Sequence, residues 1–254
     1  MDPILNLSLT KDARIVLYAD DILLYKPIRT HADATAFQMD ATMVTDWITN
    51  SGLKLNPAKT KLLTISRKRP PPQFSINING TPISRVSSLQ YLGVTISSDL
   101  SWSSHIINTR NKARKQLGFL YRNFYQADRK NIAYLYKSTV LPLLDYCSCV
   151  WDPYHTTYAE KLERVQEFGA KLSTGLWSQS YDYLLSQVKW PNLSSRRKVQ
   201  KLLLCRRILS GNSIISPDVF TPHPSPDLHH SHELPLYRPP TRTQARNSNL
   251  TKFL

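Results

Sequence analysis

Two adjacent carboxylates stand in a short segment between two apolar runs, Tyr18-Ala19-Asp20-Asp21. Adjacent carboxylates repel each other, so this segment suits an exposed turn or a turn whose charge is neutralised by divalent cations. Mg²⁺ prefers hard oxygen ligands and keeps water and substrate phosphates in its other positions. In two-metal catalysis, one ion activates an attacking hydroxyl and the other stabilises the leaving group. Taken alone, an Asp-Asp pair is more often an ordinary exposed turn.

The flanking residues predict the element that carries this pair. Residues 14–17 and 22–25 are apolar and β-prone, and two such runs around a short acidic turn are typical of a β-hairpin. A helix is predicted over residues 32–49, because Phe37, Val44 and Ile48 recur on one face. A rigid hairpin next to a helix would hold the two carboxylates in a fixed position.

The rest of the chain changes from short strands to helices. Strands are predicted at 61–66, at 74–78 and 81–83 around an Asn79-Gly80 turn, and at 89–96. Helices follow from residue 102, after an Asp128 cap, over 160–172, and from Ser194 or Ser195 to Gly211. We therefore expect an α+β fold with three parts: residues 1–100, a helical region at 101–211, and a Pro/His-rich disordered tail at 212–254.

The positive charge is concentrated in the helical part. The chain has 254 residues and a net charge of +15. Residues 101–211 carry 18 basic and 7 acidic side chains, whereas residues 1–100 carry 11 and 8. This distribution favours a polyanionic partner such as nucleic acid, although a solvated helical surface explains many lysine-rich helices. Three cysteines are too few and too irregularly spaced for a disulfide framework or a zinc knuckle, which indicates a reduced protein that is not secreted.

Three motifs in order resemble the palm of reverse transcriptases. The Tyr-Ala-Asp-Asp hairpin resembles the catalytic hairpin, residues 52–61 (GLKLNPAKTK) resemble the next motif of non-LTR, LINE-type and jockey-like retrotransposon polymerases, and Tyr91-Leu92-Gly93 resembles the primer grip. Segments at 100–106, 112–114, 143–153, 162–166 and 196–197 resemble the thumb and post-thumb region. The resemblance implies a partial polymerase palm of antiparallel hairpins plus a helix, followed by an all-helical thumb and extension.

The resemblance also implies roles for individual residues. It makes Asp20 and Asp21 ligands of Mg²⁺, with Mn²⁺ as the alternative, and Lys59 a catalytic residue near the triphosphate, with Lys61 as the substitute. A strand-edge surface lysine is an equally good interpretation of Lys59. The substrate-binding or primer-binding residues would be Tyr18, Ala19, Asn56, Lys61, Tyr91, Leu92, Gly93, Arg110, Lys112, Arg114 and Lys115. The implied partners are an RNA template, a DNA primer and deoxynucleoside triphosphates, with the oligomeric state left open.

Other parts of the family pattern are missing from the sequence. The third carboxylate belongs to an earlier Phe-x-x-Asp-x-x-x-Ala-Phe type motif, and neither Asp2 nor Asp12 has matching surroundings. The Pro-Gln-Gly-Ser motif and the fingers region are also missing. We therefore expect an N-terminally truncated RNA-directed DNA polymerase that does not polymerise by itself.

Two further classes of function remain as alternatives. A non-catalytic, basic RNA-binding remnant would bind with strong salt dependence regardless of Asp20, and an interaction module would bind no nucleic acid at physiological salt. A membrane role is less well supported, since the basic helices carry enough apolar residues to form a bundle. Related elements act on chromosomes, so we expect a nuclear or cytoplasmic protein, although Arg67-Lys68-Arg69 is too short a basic cluster to establish nuclear import.

Overall fold

The computed structural model describes residues 3–56, 58–66, 68 and 71–220. Most of the predicted tail, including all four of its histidines, lies outside these residues. The chain divides into two compact units with a boundary between Ser101 and Trp102. The first unit contains one long helix with small sheets and the second is helical, which confirms the α+β class.

The elements of the first unit are short except for its helix. Its strands and helix are β1 Arg14–Tyr18, β2 Asp21–Tyr25, α1 His31–Asn50, β3 Lys61–Leu63, β4 Asn77–Ile78, β5 Thr81–Pro82, β6 Ser84–Val86, β7 Ser88–Tyr91 and β8 Val94–Ser97. They form four two-stranded sheets, of which β1–β2, β4–β5 and β7–β8 are antiparallel hairpins. The fourth, β3–β6, is parallel, so it departs from the antiparallel hairpins that the sequence predicts.

Helix α1 forms where the sequence predicts it. Thr30 and Asp33 make a reciprocal capping box at its start, and the chain turns away at Ser51 and Gly52, where Gly52 has a φ of +74°. Two small apolar clusters lie on this helix. One contains Phe37 and Ala41 with Leu62 and Ile76, and the other contains Val44 and Ile48 with Ile4. The β1–β2 hairpin, β3 and the segment around Ile76 therefore pack on this helix.

One predicted strand is wrong. Residues 89–96 form two strands rather than one, because the chain reverses at Leu92-Gly93. Both turn residues have a positive φ, +45° and +79°, which is the conformation of a two-residue hairpin turn. Leucine rarely occupies that position, so the sequence carries no turn signal there.

The second unit is built from seven α-helices among its described residues. They are α2 Ser103–Phe124, α3 Arg129–Leu135, α4 Leu141–Asp145, α5 Ser148–Trp151, α6 Thr156–Thr174, α7 Tyr181–Val188 and α8 Leu193–Leu209. A π-helical turn, Tyr136–Val140, joins α3 to α4 and ends two residues before Pro142, which has no N–H to continue an α-helical ladder. None of the described helices is long and apolar enough to span a membrane.

The core of the second unit contains Tyr136, which is fully buried. Its ring stacks on Trp190 with centroids 4.6 Å apart and an interplanar angle of 11°. Gly169 of α6 packs against the edge of the Tyr136 ring that carries Cδ2 and Cε2. A Cβ atom added to Gly169 would lie 2.5 Å from Cε2. Only glycine therefore allows α6 to pack this closely on the π-helical turn.

Helix α8 begins earlier than the sequence predicts and is held by acidic residues of other helices. Its N-cap is Asn192, whose side chain accepts a hydrogen bond from the Ser195 N–H, so the predicted Ser194 or Ser195 cap is wrong. Glu163 of α6 accepts hydrogen bonds from the N–H groups of Leu193 and Ser194, at 3.1 and 2.8 Å. These contacts satisfy the free donors at the start of the helix.

Candidate functional site

The β1–β2 hairpin presents the two carboxylates at its tip. Tyr18 and Asp21 are the last paired residues, and Ala19 and Asp20 form the two-residue turn between them. Tyr18 is 63% exposed, and Asp20 and Asp21 are also exposed. The predicted hairpin is therefore present, and it places Asp20 and Asp21 next to Tyr18 in open solvent.

Ala19 adopts a left-handed backbone conformation, with a φ of +52°. For a residue with a Cβ atom this conformation costs about 1 to 2 kcal/mol. Glycine or asparagine would adopt it more easily, so alanine is not the residue that local turn stability favours. Strain of this kind is concentrated at functional sites, where the neighbouring structure holds it in place.

Alternate residues of the hairpin face opposite ways, and one face is anchored on α1. Ile15, Leu17 and Leu24 pack on the cluster around Val44 and Ile48. The opposite face carries Val16, Tyr18 and Tyr25, which are 43%, 63% and 48% exposed. The helix therefore fixes the hairpin from one side and leaves the side that bears Tyr18 open to a ligand.

A buried polar cluster adds a second anchor at the base of the hairpin. Asp40 of α1 is fully buried and accepts hydrogen bonds from the Thr10 N–H at 2.7 Å and the Thr10 hydroxyl at 2.6 Å. Lys26, which follows β2, lies 3.8 Å from Asp40 and donates to the Lys11 carbonyl and to Thr10. These residues give no motif signal in the sequence. Their burial and pairing become visible only in the fold.

The donor set at the tip fits a hard divalent cation in part. Two carboxylates at an exposed turn offer oxygen ligands and leave room for water and substrate phosphates, which matches the usual coordination of Mg²⁺. In the part of the chain that the structure describes, no cluster of three or more His, Cys, Asp or Glu side chains is placed to hold a metal ion. Among the described residues, the tip therefore offers two carboxylates to such an ion and no third.

The residues of the second predicted motif lie in the segment that leads into β3. The Asn56 side chain accepts hydrogen bonds from the Ala58 and Lys59 N–H groups at 3.1 and 3.3 Å, so it stabilises its own turn. The Lys59 and Lys61 side chains are exposed, and Lys61 is the first residue of β3. Among the described strands, β3 pairs with β6 and not with the β1–β2 hairpin. Backbone pairing therefore does not bring these lysines to Asp20 and Asp21.

The residues of the third predicted motif form the β7–β8 hairpin. Tyr91 pairs with Val94, and Leu92 and Gly93 make the turn. The Tyr91 hydroxyl is buried and has no hydrogen-bond partner among the residues described. A buried hydroxyl without a partner destabilises the fold by about 1 to 3 kcal/mol. This hairpin therefore combines two features that local stability does not favour, the buried Tyr91 hydroxyl and the left-handed backbone conformation of Leu92.

The four predicted phosphate-binding residues lie on α2. Lys112, Arg114 and Lys115 are exposed and Arg110 is half-buried. The helix contains five basic residues and no acidic residue. Its apolar face, with Ile106, Ala113 and Leu117, is buried in the helical unit. The cationic surface is thus held on a rigid, packed helix.

Comparisons with known proteins find a family similarity in the first unit. Residues 1–96 match the family model described as reverse transcriptase (RNA-dependent DNA polymerase). Over 176 residues, 67% of the chain, the sequence is 24% identical to a Drosophila melanogaster protein, the probable RNA-directed DNA polymerase from transposon X-element. That alignment spans 19% of the relative's length. No solved structure matches the chain. The resemblance to LINE-type reverse transcriptases is confirmed.

Proposed function

From the premise that residues 1–96 match the reverse transcriptase family, we propose that this chain is part of a retrotransposon RNA-directed DNA polymerase. In this proposal the β1–β2 hairpin supplies two of the carboxylates that bind the catalytic metal ions. The observation that carries it is the hairpin tip, where Asp20 and Asp21 are exposed beside a strained Ala19. A turn evolved only for stability would have a residue suited to the left-handed conformation at position 19.

The two carboxylates have distinct positions in the hairpin. Asp20 lies in the turn and Asp21 begins β2, so both are fixed by the same short antiparallel pairing. Their oxygen atoms would hold Mg²⁺ or Mn²⁺, which when bound activates the primer hydroxyl and stabilises the pyrophosphate that leaves. Tyr18, paired with Asp21, would contact the primer end and exclude water on the exposed face of the hairpin.

The remaining predicted residues complete the proposal. Lys59, with Lys61 as the substitute, would lie near the triphosphate and donate a proton to the leaving pyrophosphate, which requires hydrogen-bond reach to that group. Tyr91, Leu92 and Gly93 would hold the primer backbone. The strained Leu92 and the Tyr91 hydroxyl, which has no hydrogen-bond partner in the described part of the chain, support this role, because neither feature benefits the fold.

In the second unit, the basic residues of α2 would bind phosphates of the template and primer. Five basic and no acidic residues on one helix give an attractive field for a polyanion that does not depend on base sequence. In this assignment, the first unit is a partial palm and the second is a thumb with a helical extension. The polymerase would act on chromosomal target DNA, hence in the nucleus.

We further propose that this chain does not extend a primer by itself. Two carboxylates from one turn supply no ligand from a second strand to bridge two metal ions. The chain corresponds to about one fifth of the length of the curated relative, 19%, so the activity of that protein is not transferred to it directly. Nucleic-acid binding by the helical unit does not depend on the missing ligand.

Primer extension tests this proposal. The purified chain, its Asp20→Asn variant and an Asp12→Asn control are incubated with an RNA template, a DNA primer, deoxynucleoside triphosphates and Mg²⁺. We expect all three to bind the template–primer with strong salt dependence and none to extend it. Extension that only Asp20→Asn abolishes would show that the chain is active alone. Failure to bind the template–primer at physiological salt would contradict the proposed function.

The second candidate function is a non-catalytic RNA-binding protein. The observation that favours it is the cationic helix α2, which needs no metal site. This candidate predicts RNA binding with the same strength in the presence and absence of Mg²⁺. Binding of Mn²⁺ at Asp20 and Asp21 would distinguish the polymerase assignment from it.

A further inference from the structure

Four aromatic side chains form a cluster on the surface of the second unit. Tyr121 is central, with its ring centroid 6.4 Å from Tyr125, 6.0 Å from Phe168 and 6.3 Å from Trp177. Phe168 and Trp177 are 5.7 Å apart, with planes at 66°. We call these four residues the aromatic cluster. It joins α2, α6 and the loop after α6.

The aromatic cluster is much more exposed than the core of the same unit. Tyr121, Tyr125 and Trp177 are 45%, 52% and 49% exposed, whereas Tyr136 and Trp151 are fully buried. Packing within a core does not require rings to be held half in solvent. A contiguous exposed apolar patch on a folded unit is typical of an interaction site.

Backbone contacts at the end of α6 fix the position of Trp177. Gly175 ends α6 with a φ of +76°, and its N–H donates to the Lys171 carbonyl at 2.8 Å. Arg129 donates a hydrogen bond to the Leu172 carbonyl at 3.1 Å. Its guanidinium lies next to Gly175, since a Cβ atom added there would be 3.2 Å from Arg129 Nε. These contacts fix the loop so that Trp177 reaches Tyr121 and Phe168.

Positive charges border the aromatic cluster. Arg114 lies two turns before Tyr121 on α2, Arg122 lies three residues before Tyr125, and Arg164 lies one turn before Phe168 on α6. All three arginines are exposed. The nearest acidic residue on α6, Glu167, is already paired with Lys171 at 2.7 Å. The surface therefore combines aromatic faces with arginines that form no ion pair with any residue that the structure describes.

We infer that the aromatic cluster is a stacking surface for unpaired bases of single-stranded RNA. Every base has a flat face that can stack on an aromatic ring, and arginines beside the rings bind the phosphates. A duplex offers no free base faces, because its bases are already stacked, so the cluster selects single strands. The choice of RNA over another single-stranded polyanion rests on the proposed function, and the site lies outside the predicted catalytic residues.

Binding of oligonucleotides with and without bases tests this inference. The probes are a fluorescent single-stranded RNA of about 12 nucleotides, a DNA of the same length and an abasic backbone of the same length. We expect the wild-type chain to bind the RNA more tightly than the abasic backbone by about tenfold or more, since each stacked base contributes severalfold in affinity. DNA that binds as well as RNA would overturn the choice of RNA.

Conservative substitutions at one position separate stacking from packing. Trp177→Leu keeps an apolar contact with Phe168 but removes the aromatic face, so its affinity for RNA should fall about tenfold while that for the abasic backbone is unchanged. Trp177→Phe should retain most of the affinity. The control is Tyr134→Ala, which removes an aromatic side chain that is 73% exposed on α3 and outside the cluster.

Several outcomes would overturn the inference. Equal affinity of the wild-type chain for RNA and for the abasic backbone would exclude stacking without any variant. An RNA affinity that is unchanged in Trp177→Leu, together with a loss of self-association measured by light scattering, would also overturn it. That result would assign the aromatic cluster to a contact between two copies of the chain. Because none of these measurements involves Mg²⁺ or primer extension, the inference can fail while the polymerase assignment stands, and the reverse.

Discussion

Lys26 and Asp40 form an ion pair buried at the base of the hairpin that carries Asp20 and Asp21. Their side chains are 4% and 0% exposed, and Nζ lies 3.8 Å from Oδ2. Lys26 follows β2 and Asp40 belongs to α1, so this pair ties the hairpin to the long helix. The placement of Asp20 and Asp21 therefore depends on the buried carboxylate of Asp40.

Removing one partner of this pair should destabilise the first unit strongly. We expect Asp40→Ala to lower the free energy of unfolding by about 3 to 5 kcal/mol, because the Lys26 charge stays buried without its carboxylate. Urea unfolding followed by circular dichroism measures this. The control is Arg29→Ala, which breaks the exposed Arg29–Asp12 pair, with side chains 69% and 43% exposed, and should cost no more than about 1 kcal/mol. Equal effects would contradict the anchoring role of Asp40.

Two hairpin turns in the first unit have nearly the same backbone φ values but different first residues. Asn79-Gly80 has φ values of +49° and +76°, and Leu92-Gly93 has +45° and +79°, so leucine occupies a conformation that suits asparagine. Leu92→Asn should therefore stabilise the unit by about 1 kcal/mol, and Asn79→Leu should destabilise it by a similar amount. Thermal unfolding measures both. A destabilised Leu92→Asn would show that packing of the leucine outweighs its backbone strain.

Gly169 should be the least replaceable glycine of the helical unit. An alanine Cβ there would meet the Tyr136 ring at 2.5 Å, in a core that stacks directly on Trp190. Gly169→Ala should destabilise the unit by about 1 to 3 kcal/mol. At Gly118 the nearest atom to an added Cβ is the flexible Arg122 Nη1 at 3.4 Å, so Gly118→Ala should stabilise α2 by up to about 1 kcal/mol. Chemical denaturation that ranks the two variants the other way would contradict this packing.

The helical unit should lose stability in mild acid through His105. Burial and the nearby Lys112 lower the pKa of His105 from its usual value of 6.5, and its ring lies 5.1 Å from that of Trp151. Below pH 6.5 the unfolded chain binds a proton that the folded chain does not, so this contribution is complete above that pH and is lost as the pH falls toward the lower folded pKa. Denaturant unfolding at a series of pH values should show a shallower dependence for His105→Gln. An unchanged slope would contradict this prediction.

The sequence predicts the elements whose signals are local. The β1–β2 hairpin follows from two apolar runs around an acidic turn, and α1 follows from its apolar spacing, whereas its Thr30 capping box becomes visible only in the structure. Helix α6 is longer than predicted by several residues, and α7 is not predicted, because its eight residues give too short a periodic pattern.

The features that depend on tertiary contacts are not predictable from the sequence. Lys26 and Asp40 resemble surface charges until β2 and α1 are packed together, and the parallel β3–β6 pairing joins strands separated by two others. The reversal at Leu92 uses a residue that does not favour it. For the site, the motif and its resemblance indicate Asp20 and Asp21 as candidates and the hairpin that carries them, whereas the Lys26–Asp40 anchor of that hairpin becomes visible only in the fold.

Mn²⁺ broadening of amide signals tests the central claim, that the Asp20–Asp21 hairpin binds the catalytic cation. Mn²⁺ takes the same oxygen ligands as Mg²⁺, and its paramagnetism reports weak binding at a specific place. The account predicts that titrating Mn²⁺ into the labelled chain broadens the signals of residues 18–22 first, that excess Mg²⁺ reverses this, and that Asp20→Asn removes it while Asp12→Asn does not. Broadening that is no stronger at the hairpin than at other exposed carboxylates, or that survives in Asp20→Asn, would contradict the account.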